Sequence, residues 1–441
     1  MTAPVRILIV GGGYVGMYVA LRLQRKLRRG EARITVVNID SYMTYQPFLP
    51  EAAAGNVEAR HVVVSLRRVL NKCEILNGWV VGVDPVARTA DLCLHQGPGR
   101  TLEYDILVFA PGSISRTLPI PGLAESGIGF KSVEEAIHLR DHVLAQLDLA
   151  ESTTDRSVRA KALSFVFVGA GYAGVEALAE LEDMARDVCR YYPTVDPGDM
   201  RWLLVEATDR ILPEVGPEMG RWTLEQLRGR GIDVRLGTRL NSAVDGHIVL
   251  DDGTEFDADT LVWTAGVKPN PLVHTSGLPL DDKSRVKASA DLIVEGFPHV
   301  FTAGDCAAVP DLTKPGEMCA PNAQNAVRQA RTLADNVVAT LRGRARRPYR
   351  HAYAGSVATL GLHKGVAQIY GRKLRGLPAW FMHRTYHLSR IPTVNKKVRV
   401  LTDWTLGLFF KRETVSLGAI SDPRQEFELA IRTEARVPSS R

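Results

Sequence analysis

The sequence holds no close pair of cysteines. Its five, Cys73, Cys93, Cys189, Cys306 and Cys319, are scattered, and no C-x-x-C occurs anywhere. This excludes a local redox dithiol and a zinc knuckle, because both need thiols a few residues apart. Five reduced structural thiols are the default, and no metal is expected. Long apolar runs are also lacking. No stretch reaches the ~18 residues that mark a spanning helix. No charged-then-apolar leader precedes the first strand-like segment, so a cytoplasmic protein is expected.

Acidic residues are nearly missing from one block. Between Arg342 and Arg412, sixteen Lys and Arg face a single acid, Asp403, which leaves the rest of the chain net acidic. A block this lopsided suggests an anionic partner surface, membrane or nucleic acid. No nucleic-acid reading motif accompanies it, so no nucleic-acid partner is expected.

What is present is one phosphate-cradling pattern, twice. Ile7-Leu8-Ile9-Val10 leads into Gly11-Gly12-Gly13-Tyr14-Val15-Gly16, and about 160 residues later Phe165-Val166-Phe167-Val168 leads into Gly169-Ala170-Gly171-Tyr172-Ala173-Gly174. Each is a buried-strand run, a G-x-G-x-x-G loop and a helix-like stretch. The first glycine allows the tight turn. The second lets backbone approach a pyrophosphate, and the third lets helix and strand pack closely. The following helix N-terminus offers free N–H groups to phosphate. Two copies imply two dinucleotides, and so electrons passed between them.

The residue ending the next strand normally holds the adenosine ribose. After the second loop, Trp202–Glu206 ends in Glu206, whose carboxylate accepts from ribose hydroxyls and repels a 2′-phosphate. NADH is therefore expected over NADPH. After the first loop, Ile34–Val37 ends in Asn38, with Asp40 a competing candidate. An amide still bonds a ribose, more weakly placed. Each half closes on a strand and a Gly turn, Tyr104–Gly112 and Asp259–Gly266.

The segments expected are a first nucleotide-binding half over 1–115, a polar linker near 150–160 and a second half over 160–270. Beyond these come a helix from Ala323 to Arg342 and strand-like alternation from Ser356 to Tyr370. In the tail, Val398, Leu401, Trp404, Thr405 and Leu408 share one helical face, and Lys396, Arg399 and Asp403 another. Phe409 and Phe410 widen the apolar side, and Lys411 and Arg412 close it. Upstream, Trp380, Phe381, Met382, Tyr386 and Leu388 mix with His383, Arg384, His387 and Arg390. Such a helix lies in a membrane interface, or packs on its own domain or at a homodimer interface.

These features together resemble the two-dinucleotide-binding-domain flavoproteins over nearly the whole chain. Within them the sequence resembles the type II NADH dehydrogenases, single-subunit NADH:quinone oxidoreductases. The resemblance is carried by Tyr45–Pro50 with Ala54-Gly55, by Gly174-Val175-Glu176 and by Phe301–Asp305. Ala323-Gln324-Asn325-Ala326 resembles the quinone-site motif, and Gly355-Ser356 through Gly361, Lys364, Val366 and Ala379-Trp380 the C-terminal part.

The resemblance implies an α/β fold of two Rossmann-like domains, FAD-binding over 1–115 with 290–345 and NADH-binding over 160–270. A C-terminal α+β region with amphipathic helices would span 350–441. It implies FAD at Gly11, Gly13, Tyr14, Val15, Gly16, Asn38, Val80, Ala110, Gly112, Asp305, Ala323, Gln324 and Lys364. NADH would lie at Gly169, Gly171, Gly174, Glu206 and Gly266. Asp305 would accept from the ribityl chain, although an acid after a Gly turn also serves as a helix cap. Glu176 would orient groups or handle a proton; the bland alternative is an acid stabilised by the helix dipole in the first turn. Gln324 would face flavin and quinone, and Lys364 would support the reduced flavin. The implied activity is hydride transfer from NADH to FAD and two electrons onward to a quinone, without proton pumping, at the cytoplasmic face of the membrane. One departure stands out. Where the family pattern A-Q-x-A-x-Q ends in glutamine, this chain has Arg328. A different, soluble or non-quinone acceptor therefore stays open, as does a slow-turnover NADH sensor that controls partner binding.

Overall fold

The structure is a computed structural model that describes residues 3–351, 355–412, 415, 416 and 428. The apolar run before each glycine loop becomes a central parallel strand. Val5–Val10 pairs with Ala32–Asn38 on one side and Ile106–Phe109 on the other. Glu74–Asn77 and Phe297–Thr302 extend this sheet in parallel, and Ile293–Val294 closes one edge antiparallel, giving six strands. In a second sheet of five parallel strands, Ser164–Val168 lies between Arg201–Glu206 and Thr260–Trp263. Both sheets are covered on both faces, so their middle strands read as unbroken apolar runs rather than alternating ones. Ile106–Phe109, Ser164–Val168 and Thr260–Trp263 are buried throughout.

In each sheet the strand order reverses at the glycine-loop strand. The crevice beyond the carboxyl ends at that switch point is where ligands bind in open α/β sheets. The helices that matter below are α1 (Tyr14–Lys26), α2 (Leu49–Ala53), α3 (Val133–Ser152), α4 (Arg156–Ala162), α5 (Tyr172–Val188), α6 (Ala323–Leu341), α7 (Leu377–Arg390) and α8 (Val394–Leu406). The chain returns to the first sheet late. Phe297–Thr302 joins it, and α6 lies along α1, held at 2.6 Å by Arg22 and Lys26 on Asp335.

The polar stretch expected as a linker near 150–160 is helical instead. It closes α3 and forms α4, whose cap is Asp155, accepting from the Ser157 and Val158 N–H groups. Its polarity is the outer face of helices packed on the second sheet, which His142 of α3 touches at Thr260 (3.0 Å). The tail begins as a three-stranded antiparallel sheet, Gly355–Thr359, Gly365–Ile369 and Arg372–Arg375, followed by α7 and α8. Within the expected 350–441 region, residues 352–354, 413–414 and nearly all beyond 416 lie outside the described residues.

Candidate active site

The two loops have the same geometry. Gly11 and Gly169 adopt left-handed φ values of 97° and 105°. A Cβ on Gly16 would stand 1.8 Å from the Gly11 carbonyl oxygen, and one on Gly174 1.9 Å from that of Gly169. Only glycine allows that approach. By contrast, a Cβ on Gly13 or Gly171 would meet nothing within 4 Å. These second glycines are the N-caps of α1 and α5, with no side-chain cap and no acid in the first turn. Each loop thus presents open space, uncapped N–H groups and a positive dipole end, which suits a pyrophosphate.

The strand-end side chains also match. Asn38 Oδ1 accepts from the Gly12 N–H at 2.8 Å, and Glu206 Oε2 accepts from the Ala170 N–H at 2.7 Å. Asn38 is further committed, because its amide NH2 donates to the carbonyls of Asp40 and Tyr42. Glu206 Oε1 accepts from the Thr208 N–H and hydroxyl. Val80 is buried just beyond Gly78, whose N–H donates to the Asn38 carbonyl. Below the first loop, Ala110 crowds Gly11, and Gly112 turns the chain at φ 74°. Val15 packs against Gly304, and the Tyr14 hydroxyl is buried without a partner among the described residues. In the second half, Gly266 turns at φ 93° and its carbonyl accepts from the Arg116 N–H.

Asp305 stands beside these. Its carboxylate accepts from the Ser113 hydroxyl at 2.7 Å, and Lys131 Nζ donates to Ser113 Oγ and O at 2.6 Å. Burial pulls the Lys131 ammonium below its ordinary value, against the pull of Asp305. Gly304 N–H donates to the buried Gln329. Lys131 and Ser113 were missed in the sequence, where a lone lysine before a helix carries no signal.

Glu176 is not in the first turn. It is the fifth residue of α5, buried, with its carboxylate accepting from the Thr359 N–H at 2.8 Å and lying 3.4 Å from His383 Nε2. The helix-dipole reading falls, because the dipole acts within the first turn. A polar cluster continues from it. Glu180 accepts from the Thr359 hydroxyl (2.7 Å) and from Asn56 (3.0 Å). Burial, then the charge of Glu51, pushes its carboxyl up to about 7. Glu51 is fully buried and accepts from Arg384 (3.0 Å) and the Trp404 indole (2.7 Å). The Arg384 guanidinium sits over the rings of Trp380 and Trp404. His387, held neutral by burial, contacts the Tyr45 hydroxyl at 3.2 Å. Glu180 and Glu51 were both missed in the sequence; the i, i+4 spacing from Glu176 was a signal for Glu180, whereas nothing local pointed to Glu51.

At the other end of the Gly355–Thr359 strand, Gln324 donates to the Gly355 carbonyl at 3.1 Å and contacts His351 at 3.3 Å. Ala323 begins the same helix. A cavity of about 230 Å³ opens beside Gly355 and is also lined by Glu214, Ser356, Gln368 and Tyr370. Lys364 is not brought to Gln324. It is exposed in the turn after this strand, about 15 Å along at strand rise.

The tail helices pack on the body. The Tyr45 hydroxyl donates to the His387 carbonyl, and His61 meets Asp403 at 2.6 Å. Trp404 therefore leaves the expected apolar face. It lies at the stripe's edge and turns inward onto Phe48 and Glu51. The remaining stripe is exposed: Val394, Val398, Leu401 and Leu408, continued by Phe409 and Phe410, the last two 77% and 68% accessible.

The sequence pattern of the pyridine nucleotide-disulphide oxidoreductases matches residues 5–330. The chain belongs to this family. It departs from the family's name in its thiols. All five are free, and burial raises those of Cys73, Cys189 and Cys306 to about 11. The chain is 29% identical over 418 residues to a type II NADH:quinone oxidoreductase of Mycobacterium tuberculosis, covering 91% of this chain and 87% of that one. It is 28% identical to a type II NADH:quinone oxidoreductase of Staphylococcus saprophyticus, covering 86% and 93%. Its fold resembles NDH2 from Plasmodium falciparum, solved in complex with NADH, at TM-score 0.85 and 18% identity, over 93% of this chain and 99% of that one.

Proposed function

We propose that the protein is a peripheral NADH:quinone oxidoreductase that holds FAD at the first glycine loop and NADH at the second. The observation that carries this is the pair of open loops in a chain without a dithiol between them. The relatives' names supply the donor and acceptor. The residues fit both groups: Gly13 and Gly171 leave room for a pyrophosphate, and Asp305 keeps one carboxylate oxygen for the ribityl chain. Bound flavin supplies the hydride acceptor and passes two electrons on.

The protein's own residues do the positioning. Glu206 faces the ribose and rejects a 2′-phosphate by charge. Asp305 and Lys131 fix the polar end of the flavin site. Glu176, hydrogen-bonded to the Thr359 backbone and next to His383, orients the reacting ends. Gln324 bonds the quinone carbonyl.

The exposed stripe from Val394 to Phe410 docks on the cytoplasmic face of the membrane, with Arg399 and Lys411 at anionic head groups. No helix among the described residues is long and apolar enough to cross it. Deleting α7 and α8 is a poor test, because Glu51 would lose both partners inside the protein. Replacing Phe409, Phe410 and Leu401 by Ser leaves those contacts alone. It should abolish sedimentation with anionic vesicles; unchanged sedimentation removes the docking surface.

Steady-state oxidation of NADH and NADPH by the FAD-loaded protein, with several quinones and with oxygen, tests the activity. Fast turnover with NADH and a quinone is expected. Very slow turnover with every acceptor would overturn it in favour of an NADH sensor.

A further inference from the structure

Arg328 occupies a position that the proposed reaction does not use. It lies one helical turn after Gln324 on α6, so both side chains leave the same face. It is half-buried. Its Nη1 is fully enclosed and has no hydrogen-bond partner among the described residues. Other buried arginine heads among the described residues are answered by carboxylates: Arg384 by Glu51, Arg412 by Asp183, Arg230 by Glu182. Arg328 makes no ion pair among the described residues, and Tyr386, Tyr349, Tyr370 and Arg390 face it. Arg390 is a second cation, and His351, which Arg328 disfavours as a cation, lies alongside. Asp311 bears on Tyr349 and His351, but among the described residues no carboxylate pairs with Arg328 itself. Tyr370 also lines the cavity beside Gly355, where Gln324 is attached.

A partly desolvated guanidinium without counter-charge is costly, and the cost is relieved when an anion arrives. Building on the quinone-reductase reading, we propose that Arg328 and Arg390 form an oxyanion pocket that selects quinones with an acidic ring hydroxyl, present as the enolate, over neutral quinones. An arginine cannot give up its proton at neutral pH, so the pocket binds and stabilises negative oxygen without protonating it. In the overall reaction NADH supplies two electrons and one proton, and solvent supplies the remaining proton, or two when the acceptor enters as the enolate.

The test compares 2-hydroxy-1,4-naphthoquinone, ionised at neutral pH, with 1,4-naphthoquinone. Their affinities for the oxidised FAD-loaded protein are read by fluorescence quenching. Arg328→Gln should weaken the hydroxyquinone by about tenfold or more, the usual size of a lost charge-assisted bond, and the neutral quinone by less than about threefold. Arg328→Lys should recover part of the loss, and high salt should weaken only the hydroxyquinone. NADH affinity reports that each variant is folded. Equal weakening of both ligands, or of neither, overturns the pocket. Arg328-dependent binding of the hydroxyquinone without turnover of any quinone keeps the pocket and removes the quinone-reductase reading. Quinone turnover without this preference does the reverse.

Discussion

The two glycine loops superimpose in kind and differ in what surrounds them. Both have a left-handed first glycine, an open second glycine and a third pressed on the first carbonyl. Below the first, neutral Asn38 holds Gly12; below the second, anionic Glu206 holds Ala170. Above them the contrast grows. The buried residues of α1 are all uncharged, whereas α5 buries Glu176, Glu180 and Glu182. The two loops thus share the geometry that suits a dinucleotide, and buried carboxylates set the surroundings of the second apart from those of the first.

The sharpest way to break this likeness is at the third glycine. Gly16→Ala and Gly174→Ala each place a Cβ within 2 Å of a carbonyl oxygen, which backbone movement alone relieves. Each should cost its own ligand about a hundredfold or more in affinity, roughly 3 kcal/mol. Gly16→Ala should purify without flavin colour. Gly174→Ala should keep its flavin and lose saturation by NADH. If both variants lose the same ligand, the two loops do not hold separate dinucleotides.

Next is the difference between the helices. Glu180, with an ordinary value of 4.5, titrates near 7 in the folded protein because burial and Glu51 oppose its charge. Between those values the native state holds a proton that the unfolded chain has released. Its contribution to stability is thus complete below about pH 4.5 and is lost as pH rises through about 7. Glu180→Gln should remove that loss. Relative to wild type, the variant should gain on the order of 3 kcal/mol between pH 5 and 9, measured by urea unfolding. A parallel pair of stability curves would show that the carboxylate is already ionised and paired. Nothing comparable is expected from any substitution in α1.

The loops and their strands were legible from the sequence because glycine spacing and buried apolar runs are local signals. The α6 helix and strand-like alternation from Ser356 to Tyr370 were also legible from local pattern, though not the turn that makes two paired strands of it. What escaped was made by distance in the chain. Glu51 meets Arg384 and Trp404, and Asp305 meets Ser113 and Lys131, only through the fold. Trp404 read as part of an outer face because periodicity reports angle around a helix, and a residue at the edge of a stripe is assigned by its neighbours. Lys364 was placed by likeness of a segment, and the strand geometry separates it from Gln324. The polar 150–160 stretch misled because solvent-facing helix and linker share composition.

The comparison is finer at the strand ends. Glu206→Ala and Glu206→Arg should shift the NADH-to-NADPH ratio of kcat/KM by about ten- to a hundredfold, 1.4 to 2.8 kcal/mol, while leaving flavin content unchanged. A constant ratio would remove Glu206 from cofactor choice and leave it its loop-holding bonds to Ala170 and Thr208.

The converse substitution is Asn38→Asp, and its effect is predicted to be smaller and of a different kind. If the strand-end position served only the ribose, an acid there should improve the first loop, since it matches the second. But Asn38 works in both directions at once. Its Oδ1 accepts from Gly12, and its NH2 donates to the Asp40 and Tyr42 carbonyls. Aspartate keeps the acceptor and faces those two carbonyls with a second oxygen instead of a donor. The loss is about one to two neutral hydrogen bonds with lone pairs opposed, roughly 1 to 2 kcal/mol. It should appear in the melting temperature of the flavin-free protein as well as the loaded one. Glu206→Gln likewise keeps an acceptor for the Ala170 N–H but turns its NH2 on the Thr208 N–H, and should cost a similar ~1 kcal/mol with or without NADH. A flavin-dependent loss in Asn38→Asp, absent without the cofactor, would mean that the amide contacts the ribose after all and that the two strand ends do the same work with different charge.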